Sequence, residues 1–318
     1  MAVTLAQAKL NVQDALQIGV IDEFAKSSFL FNNITFDDAV SPTGGGATLT
    51  YGYTRVKTQA TAEFRQINSE YNNQESEKER ITVDLKVFGG AFNIDRIVAG
   101  MGGITDEVSF QMQQKIKAAT ALFNDTVING DSAVNAAAFD GLEKALTGSS
   151  TEYIPSSPID LSSSSGVDTN YKRFLDELDE FLSGLDGTPS FIAGNTKLIS
   201  KLRAVARRAG MYQITKNDFG QNVESYGIVP FLDLGEKAGT NKPVVPINNT
   251  TGETSIYVAR LGLDGFHGVS MAGQSPINTW LPDFKTAGAV KKGEVEMVAA
   301  VALKATKAAG VMRKIKVV

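Results

Sequence analysis

The sequence predicts an α+β protein of extended build, and three stretches carry that reading. Residues 48–92 pattern as two long strands around a polar middle. Residues 106–129 bear the single apolar stripe of a long helix. Residues 170–235 alternate helix and strand, and a long strand pattern, "GEVEMVAAVALKATKAAGVMRKIKVV", closes the chain. At 318 residues the protein is long enough for one large domain or two modest ones.

The first 33 residues show weak helical periodicity at Leu10, Val12, Ala15, Leu16, Val20 and Phe24, then the apolar patch "SSFLFNNITF". Such a stretch suits a short helix docked on a neighbour. Gly44, Gly45 and Gly46 make a flexible turn, after which "TLTYGYTRV" alternates as a strand does. "RQINSEYNNQESEKER" is too polar to bury itself, and "ITVDLKVFGGAFNI" returns with Ile81, Val83, Leu85 and Val87 on one face. The pair reads as a projecting hairpin, which is marginal alone and needs something to lie against.

Val108, Met112, Ile116, Ala119, Phe123 and Val127 recur at helical spacing. Thr105 is placed to cap this helix, Asp106 and Glu107 complement its first-turn dipole, and Gly130 suits its end. At about 1.5 Å per residue it spans roughly 36 Å, the length of a spine. The chain then turns through Asn129, Gly130, Asp131, Asp140 and Gly141. "TGSSTEYIPSSPIDLSSSSGVDT" (147–169) reads as a Ser/Pro-rich linker and a candidate boundary. Beyond it Tyr171, Phe174, Leu175, Leu178, Phe181 and Leu182 define one amphipathic helix. "PSFIAG" reads as a buried strand, and Thr196 opens a helix that Gly210 stops.

The inventory for catalysis is poor. There is no cysteine, which excludes disulfides, thiolate chemistry and Cys-ligated metals. His267 is the only histidine, so His-based metal clusters are excluded, and a structural or surface role is expected for it. "GVSMA" (268–272) departs from a nucleophile elbow at Ala272, and no histidine follows Ser270. "AGMGGITDE" (99–107) places Thr105 where a dinucleotide fingerprint needs Gly or Ala, and no phosphate loop is present. Asp176, Glu177, Asp179 and Glu180 imitate a carboxylate pair but lie on the polar face of a helix, where a solvated face is expected. No catalytic, cofactor or metal site is expected.

No apolar run is long enough to cross a membrane, and the N-terminus has neither the basic nor the apolar region of a signal peptide. A cytosolic protein fits, and Asn124 and Asn249 then carry no glycosylation meaning. The net charge of −4 argues against a free-standing nucleic-acid binder, yet residues 285–318 hold eight basic side chains against two acidic. That tail could meet phosphates, although a solvated strand face explains it as simply.

An N-terminal arm, a projecting hairpin, a long helix and a separate α/β unit benefit an assembly more than a monomer, because each can bury apolar area on a neighbour. In this order the elements resemble the major capsid proteins of tailed double-stranded-DNA phages, the Hong Kong 97-type fold shared by encapsulin shells. The most specific part is "INGDSAVNAAAFDGL". It has the family's Leu/Ile-x-Gly-Asp/Asn turn at Ile128, Gly130 and Asp131, and the later Gly-Leu turn at Gly141 and Leu142. "PSFIAGNTKLISKLRAVARRAGMYQ" and "SYGIVPFLDLG" look like axial-domain elements, and the C-terminal pattern like the final peripheral strands.

The resemblance implies an N-arm over 1–35 and an E-loop over 48–92. It implies a peripheral (P) domain from 36–47, 93–150 and 285–318, and an axial (A) domain over 151–284. It implies a non-enzymatic major capsid protein that builds pentamers and hexamers of an icosahedral head around double-stranded DNA. Phe64 and Tyr71 of the E-loop would lie over one neighbour, and Leu16, Phe29, Leu30 and Phe31 of the arm would clasp another. Partners are then further copies of the chain, a portal protein, non-specifically contacted DNA and no membrane. The location is the virion, after assembly in host cytoplasm. The arm starts close to Met1, so a separate scaffolding protein, or none, is expected. Lys57, Lys78 and Lys86 lie in the loop region, but no Asn partner for a cross-link is singled out. Two alternatives stay open: an encapsulin-like cargo compartment, and a soluble α/β ligand-binding protein working through residues 170–284.

Overall fold

The computed structural model describes residues 29–41, 48–101, 106–210, 213–216, 222–273 and 275–318. In chain order the elements are α1 (Phe29–Asn33), β1 (Phe36–Val40), β2 (Thr50–Thr58), β3 (Glu77–Asp84), β4 (Lys86–Asp95), α2 (Arg96–Ala99), α3 (Glu107–Asn129) and α4 (Leu142–Leu146). There follow β5 (Glu152–Tyr153), β6 (Ile159–Asp160), α5 (Ser164–Ser183), β7 (Phe191–Gly194), α6 (Thr196–Arg208), β8 (Gln213–Lys216), β9 (Asn222–Tyr226) and β10 (Val229–Asp233). The last are β11 (Glu253–Ala259), β12 (Phe266–Met271), β13 (Ile277–Trp280), β14 (Val290–Leu303) and β15 (Ala309–Lys316).

One sheet runs β1-β12-β14-β13, with β4 along the other side of β14. β4 and β14 stay in unbroken antiparallel register from Val290–Asp95 to Ala299–Lys86. The long helix α3 lies across this pair. Its predicted stripe is the buried face: Met112, Ala119, Phe123 and Val127 are buried, and Val108 and Ile116 pack on the same core. Phe123 sits among the rings of Phe31, Phe36, Phe88 and Phe139, with centroids 5.7–6.4 Å away. Those are the separations at which aromatic pairs attract. Asp106 is the cap of α3, one residue beyond the expected Thr105, which lies outside the described residues. Its carboxylate accepts from the Ser109 amide at 2.9 Å and hydroxyl at 2.6 Å. Those bonds hold its pKa below the ordinary value.

The second sheet runs β5-β15-β11-β7-β10-β9-β8, with β6 also on β15. Its core joins Phe174, Leu178 and Phe181 of α5 to Leu198, Leu202 and Val205 of α6, over Ile192, Val258, Met312 and Ile315 of the strands. Asn195 caps α6, its side chain accepting from the Leu198 amide at 2.9 Å.

Three expectations change. The stretch 147–169 is not a free linker: β5 and β6 pair in parallel with β15, Ile159 and Leu161 are fully buried, and Ser163 caps α5 through the Gly166 amide. The C-terminal pattern divides at Lys304–Ala308. β14 belongs to the first sheet and β15 to the second, so 285–318 does not lie in one unit. The hairpin pairs only from Thr50–Asp84 outward, and the chain from Lys86 belongs to the first sheet. Leu85, 3% exposed, interrupts the strand phase, so Val87 turns outward at 52% while Phe88 packs inward.

The turn after α3 closes by backbone contact. The Gly130 amide donates to the Thr126 carbonyl at 2.8 Å, and the Gly130 carbonyl accepts from the Gly141 amide at 2.9 Å. Gly130 has φ −61°, so it is not the left-handed stop that the sequence suggests. It is required for room: a Cβ there would stand 2.2 Å from the Phe139 carbonyl oxygen, and one on Gly141 2.5 Å from that of Thr126. Within the loop, Lys144 Nζ reaches Asp131 Oδ1 at 2.7 Å and Asp140 Oδ1 at 2.9 Å. The Lys144 bond holds Asp131 below its ordinary pKa. Burial opposes the same shift at Asp140, but the Ser132 and Lys144 bonds outweigh it. Lys144 is held above its own ordinary value by both carboxylates.

Gly141→Ala is expected to cost about 1–3 kcal/mol by overpacking against fixed carbonyls, measured by urea unfolding. Because Asp131 and Asp140 titrate lower folded than unfolded, their contribution is present above about pH 4 and is lost as pH falls further. Thermal unfolding followed from neutral to acid should therefore show stability dropping below about pH 4, with part of that slope removed in Lys144→Met.

Candidate assembly surfaces

β2 and β3 form a two-stranded ribbon whose base packs on the body and whose far end stands off it, with residues 59–80 exposed throughout. Arg55–Glu79 and Lys57–Glu77 pair across it. The far end has its own local order. The Glu63 carboxylate accepts from the Asn72 amide at 2.6 Å and side chain at 3.0 Å. The Arg65 guanidinium lies 5.4 Å from the Tyr71 ring centroid and donates to the Ser69 carbonyl at 3.1 Å. This leaves Phe64 fully exposed, with Ile67 at 90% and Tyr71 at 57%. Three large apolar side chains on one ordered tip are unusual for a monomer surface.

The residues expected to clasp a neighbour from the arm behave differently. Leu30, 1% exposed, belongs to this chain's own core, and Phe31 packs partly against it with its ring 5.7 Å from Phe123. Those two side chains are engaged within the subunit because α1 folds back onto α3. Phe29 opens α1, and Leu16 lies outside the described residues.

The two sheets share an apolar core in which Phe123, Val127 and Phe266 join Phe191, Tyr257 and Val311, and Arg313 of β15 adds ion pairs beside it. Arg313 reaches Glu152, Glu143 (2.9 Å) and the Thr147 hydroxyl (2.9 Å), and the Tyr257 hydroxyl donates to Glu143. Burial works against these charges. Even so, the Gly148 amide and Arg313 hold Glu152 below its ordinary pKa, and the two glutamates hold Arg313 above its own. Burial and then Glu143 push the Tyr257 phenol upward.

The motifs weighed for chemistry find structural roles. Ser270 is buried in mid-strand opposite Ala299, with none of the strand-to-helix turn of a nucleophile elbow. His267 is buried rather than at the surface. The acidic face of α5 is not simply solvated: Glu177 pairs with Arg173 at 2.7 Å, while Asp179 and Glu180 accept from Tyr226 (2.7 Å) and Tyr153 (3.0 Å). Burial, and then Glu180 and Glu177, push the Tyr153 phenol up to about 12. Among the described residues no group of His, Asp or Glu is arranged to hold a metal, and no helix is long and apolar enough to cross a membrane. A cleft of about 840 Å³ beside the start of α6 is lined by lysines and amides, including Lys197, Lys242, Asn248 and Thr250. Half of the eight basic residues in the C-terminal stretch are ion-paired: Lys292 meets Glu294, Lys304 meets Asp37 at 3.8 Å, Arg313 meets its glutamates, and Lys316 meets Asp160 at 4.0 Å. Only the structure could reveal these partners, because most are distant in sequence.

No protein-family model and no curated protein matches the chain. Solved structures do. The chain is similar to the holo-SrpI encapsulin complex of Synechococcus elongatus, with 14% identity, 99% of this chain and 97% of that one covered, and a TM-score of 0.66. It is similar to the capsid of Myoviridae phage XM1 (11% identity, 94% and 96% covered, TM-score 0.61). It is also similar to a chain of Mycobacterium phage Ogopogo (13%, 98% and 99%, TM-score 0.58). The chain therefore has the α+β Hong Kong 97-type fold of phage major capsid proteins.

Phe64→Ser combined with Tyr71→Ser removes side chains outside the subunit core, Tyr71 meeting only Arg65 of the same tip. Unfolding stability should stay within about 0.5 kcal/mol of the parent, as denaturant titration of unassembled protein would show.

Proposed function

We propose that this chain is the major capsid protein of a tailed phage, forming the hexamers and pentamers of an icosahedral head around double-stranded DNA. The observation that carries the reading is the near end-to-end match to capsid and shell chains. The bare apolar tip at Phe64, Ile67 and Tyr71 supports it, since closing a shell supplies the missing cover. The protein is a structural component rather than an enzyme. Residues 1–35 serve as the arm, the hairpin serves as the E-loop over a neighbour, the first sheet with α3 is the peripheral part, and the sheet with α5 and α6 is the axial part. A separate scaffolding protein and a portal protein complete the head in the host cytoplasm. DNA is contacted weakly and without sequence preference, consistent with a basic stretch of which half is already paired.

An encapsulin-like compartment is the second reading, and the TM-score of 0.66 to an encapsulin supports it. Particle contents separate the two: packaged DNA belongs to the first, an enclosed enzyme to the second.

The test deletes residues 62–73, joining Thr61 to Gln74, whose side chains already hydrogen-bond across the ribbon. The variant should remain folded and soluble but form no closed shells under conditions where the parent does. Parent-like shells from the variant would remove the hairpin from the assembly mechanism.

A further inference from the structure

The hairpin is fastened to the body by one face of β2. The Tyr51 hydroxyl donates to Asp37 Oδ2 at 2.8 Å, the Tyr53 hydroxyl to the Leu303 carbonyl at 2.8 Å, and Arg55 Nη1 to Thr306 Oγ1 at 3.1 Å. Alternate residues of a strand share a face. The three rungs therefore grip β1 and the turn between β14 and β15 together. The Leu85 amide, donating to the Leu49 carbonyl at 2.7 Å, closes the base.

Against the innermost rung lies His267. Its ring is fully buried and meets the Tyr51 ring edge-on at 5.9 Å. Among the described residues neither ring nitrogen has a hydrogen-bond partner by strict geometry, while the Gly265 backbone lies near enough to act on the ring. A buried polar group left without a partner is costly, and charging it costs more. The charged and titratable groups facing it come from each neighbouring element: Asp37 from β1, Tyr51 from β2, Asp264 from the turn before β12, and Lys304 from the end of β14. Lys304 Nζ is 5.6 Å from the Tyr51 ring centroid and 3.8 Å from Asp37 Oδ2, the atom to which Tyr51 donates. A cation on His267 would thus be crowded by Lys304 and would draw on the carboxylate that holds the first rung.

We propose that His267 is an acid-sensitive catch under the hairpin, whose protonation releases the Tyr51–Tyr53–Arg55 ladder and lets the hairpin leave the body. Burial, and then Lys304, hold the closed ring below the ordinary histidine pKa, with Asp37 and Asp264 opposing. Once open, the ring titrates near its ordinary value of about 6.5. The closed state is accordingly favoured above about pH 6.5 and loses ground as pH falls below it. The inference concerns the hairpin base alone and does not depend on the shell reading.

Hydrogen exchange of residues 50–58 in the whole protein, corrected for intrinsic rates, reads the catch directly. Between about pH 7.5 and about pH 5.5 protection should fall, by up to about tenfold. His267→Phe keeps a ring against Tyr51 but cannot titrate, so it should abolish the fall. A flat parent profile, or an equal fall in His267→Phe, would overturn the proposal. Tyr51→Phe removes the Asp37 rung and should give, at about pH 7.5, the weak protection that the parent shows only in acid. Unchanged protection in Tyr51→Phe would likewise overturn it, whether or not the His267 variant folds.

Discussion

Two backbones meet at Gly130 and Gly141 with no side chain between them, and the path of the chain from α3 into α4 depends on that contact. It fixes the direction in which the chain leaves α3. That direction places α4, and with it Glu143 and Thr147, against β15, where Arg313 gathers them together with Glu152. Any Cβ at either glycine would push carbonyls apart by more than a rotamer change could absorb. The C-terminal chain reinforces the link, because β14 is the axis of one sheet and β15 lies within the other. A rigid two-part body of this kind suits a subunit that must hold fixed angles to its neighbours.

The hairpin stands in contrast to that body. Its tip carries large apolar side chains in water, and its stem is held by the packing of Tyr51, Tyr53 and Val83 and a few hydrogen bonds above the buried His267. A monomer gains nothing from this arrangement. An assembly gains a contact that can be made after the subunit has folded, because the tip takes no part in the subunit core. The body is self-sufficient through the Phe123 cluster and the core under α5 and α6, so folding and association draw on different residues.

Much of this was legible in the sequence. The α3 stripe, the α5 and α6 faces, the buried β7 strand and the polar ribbon tip all rest on local periodicity, which one sequence displays in full. What escaped is non-local. β5 and β6 are two residues each, too short to show alternation, and they exist only because β15 offers an edge. Nothing in residues 304–308 says that the strand before them joins one sheet and the strand after them another. Leu30 and Phe31 read as residues that clasp a neighbour, but α1 turns them onto α3 of the same chain. Gly130 read as a helix stop, while the structure uses its missing side chain for close approach. Phe64 and Tyr71 were singled out by the resemblance of the hairpin to an E-loop, and the structure leaves both exposed. On the proposed shell reading, their cover would come from another copy of the chain, which no single chain displays.

The central claim is that this chain closes on copies of itself through the hairpin. Cryo-electron microscopy of the full-length protein, expressed alone and with a candidate scaffolding protein, tests it most directly. The account predicts closed shells or capsomer rings in which the 59–76 tip of each subunit is covered by an adjacent one. A protein that remains monomeric in both preparations, or shells in which Phe64 and Tyr71 still face solvent, would contradict it.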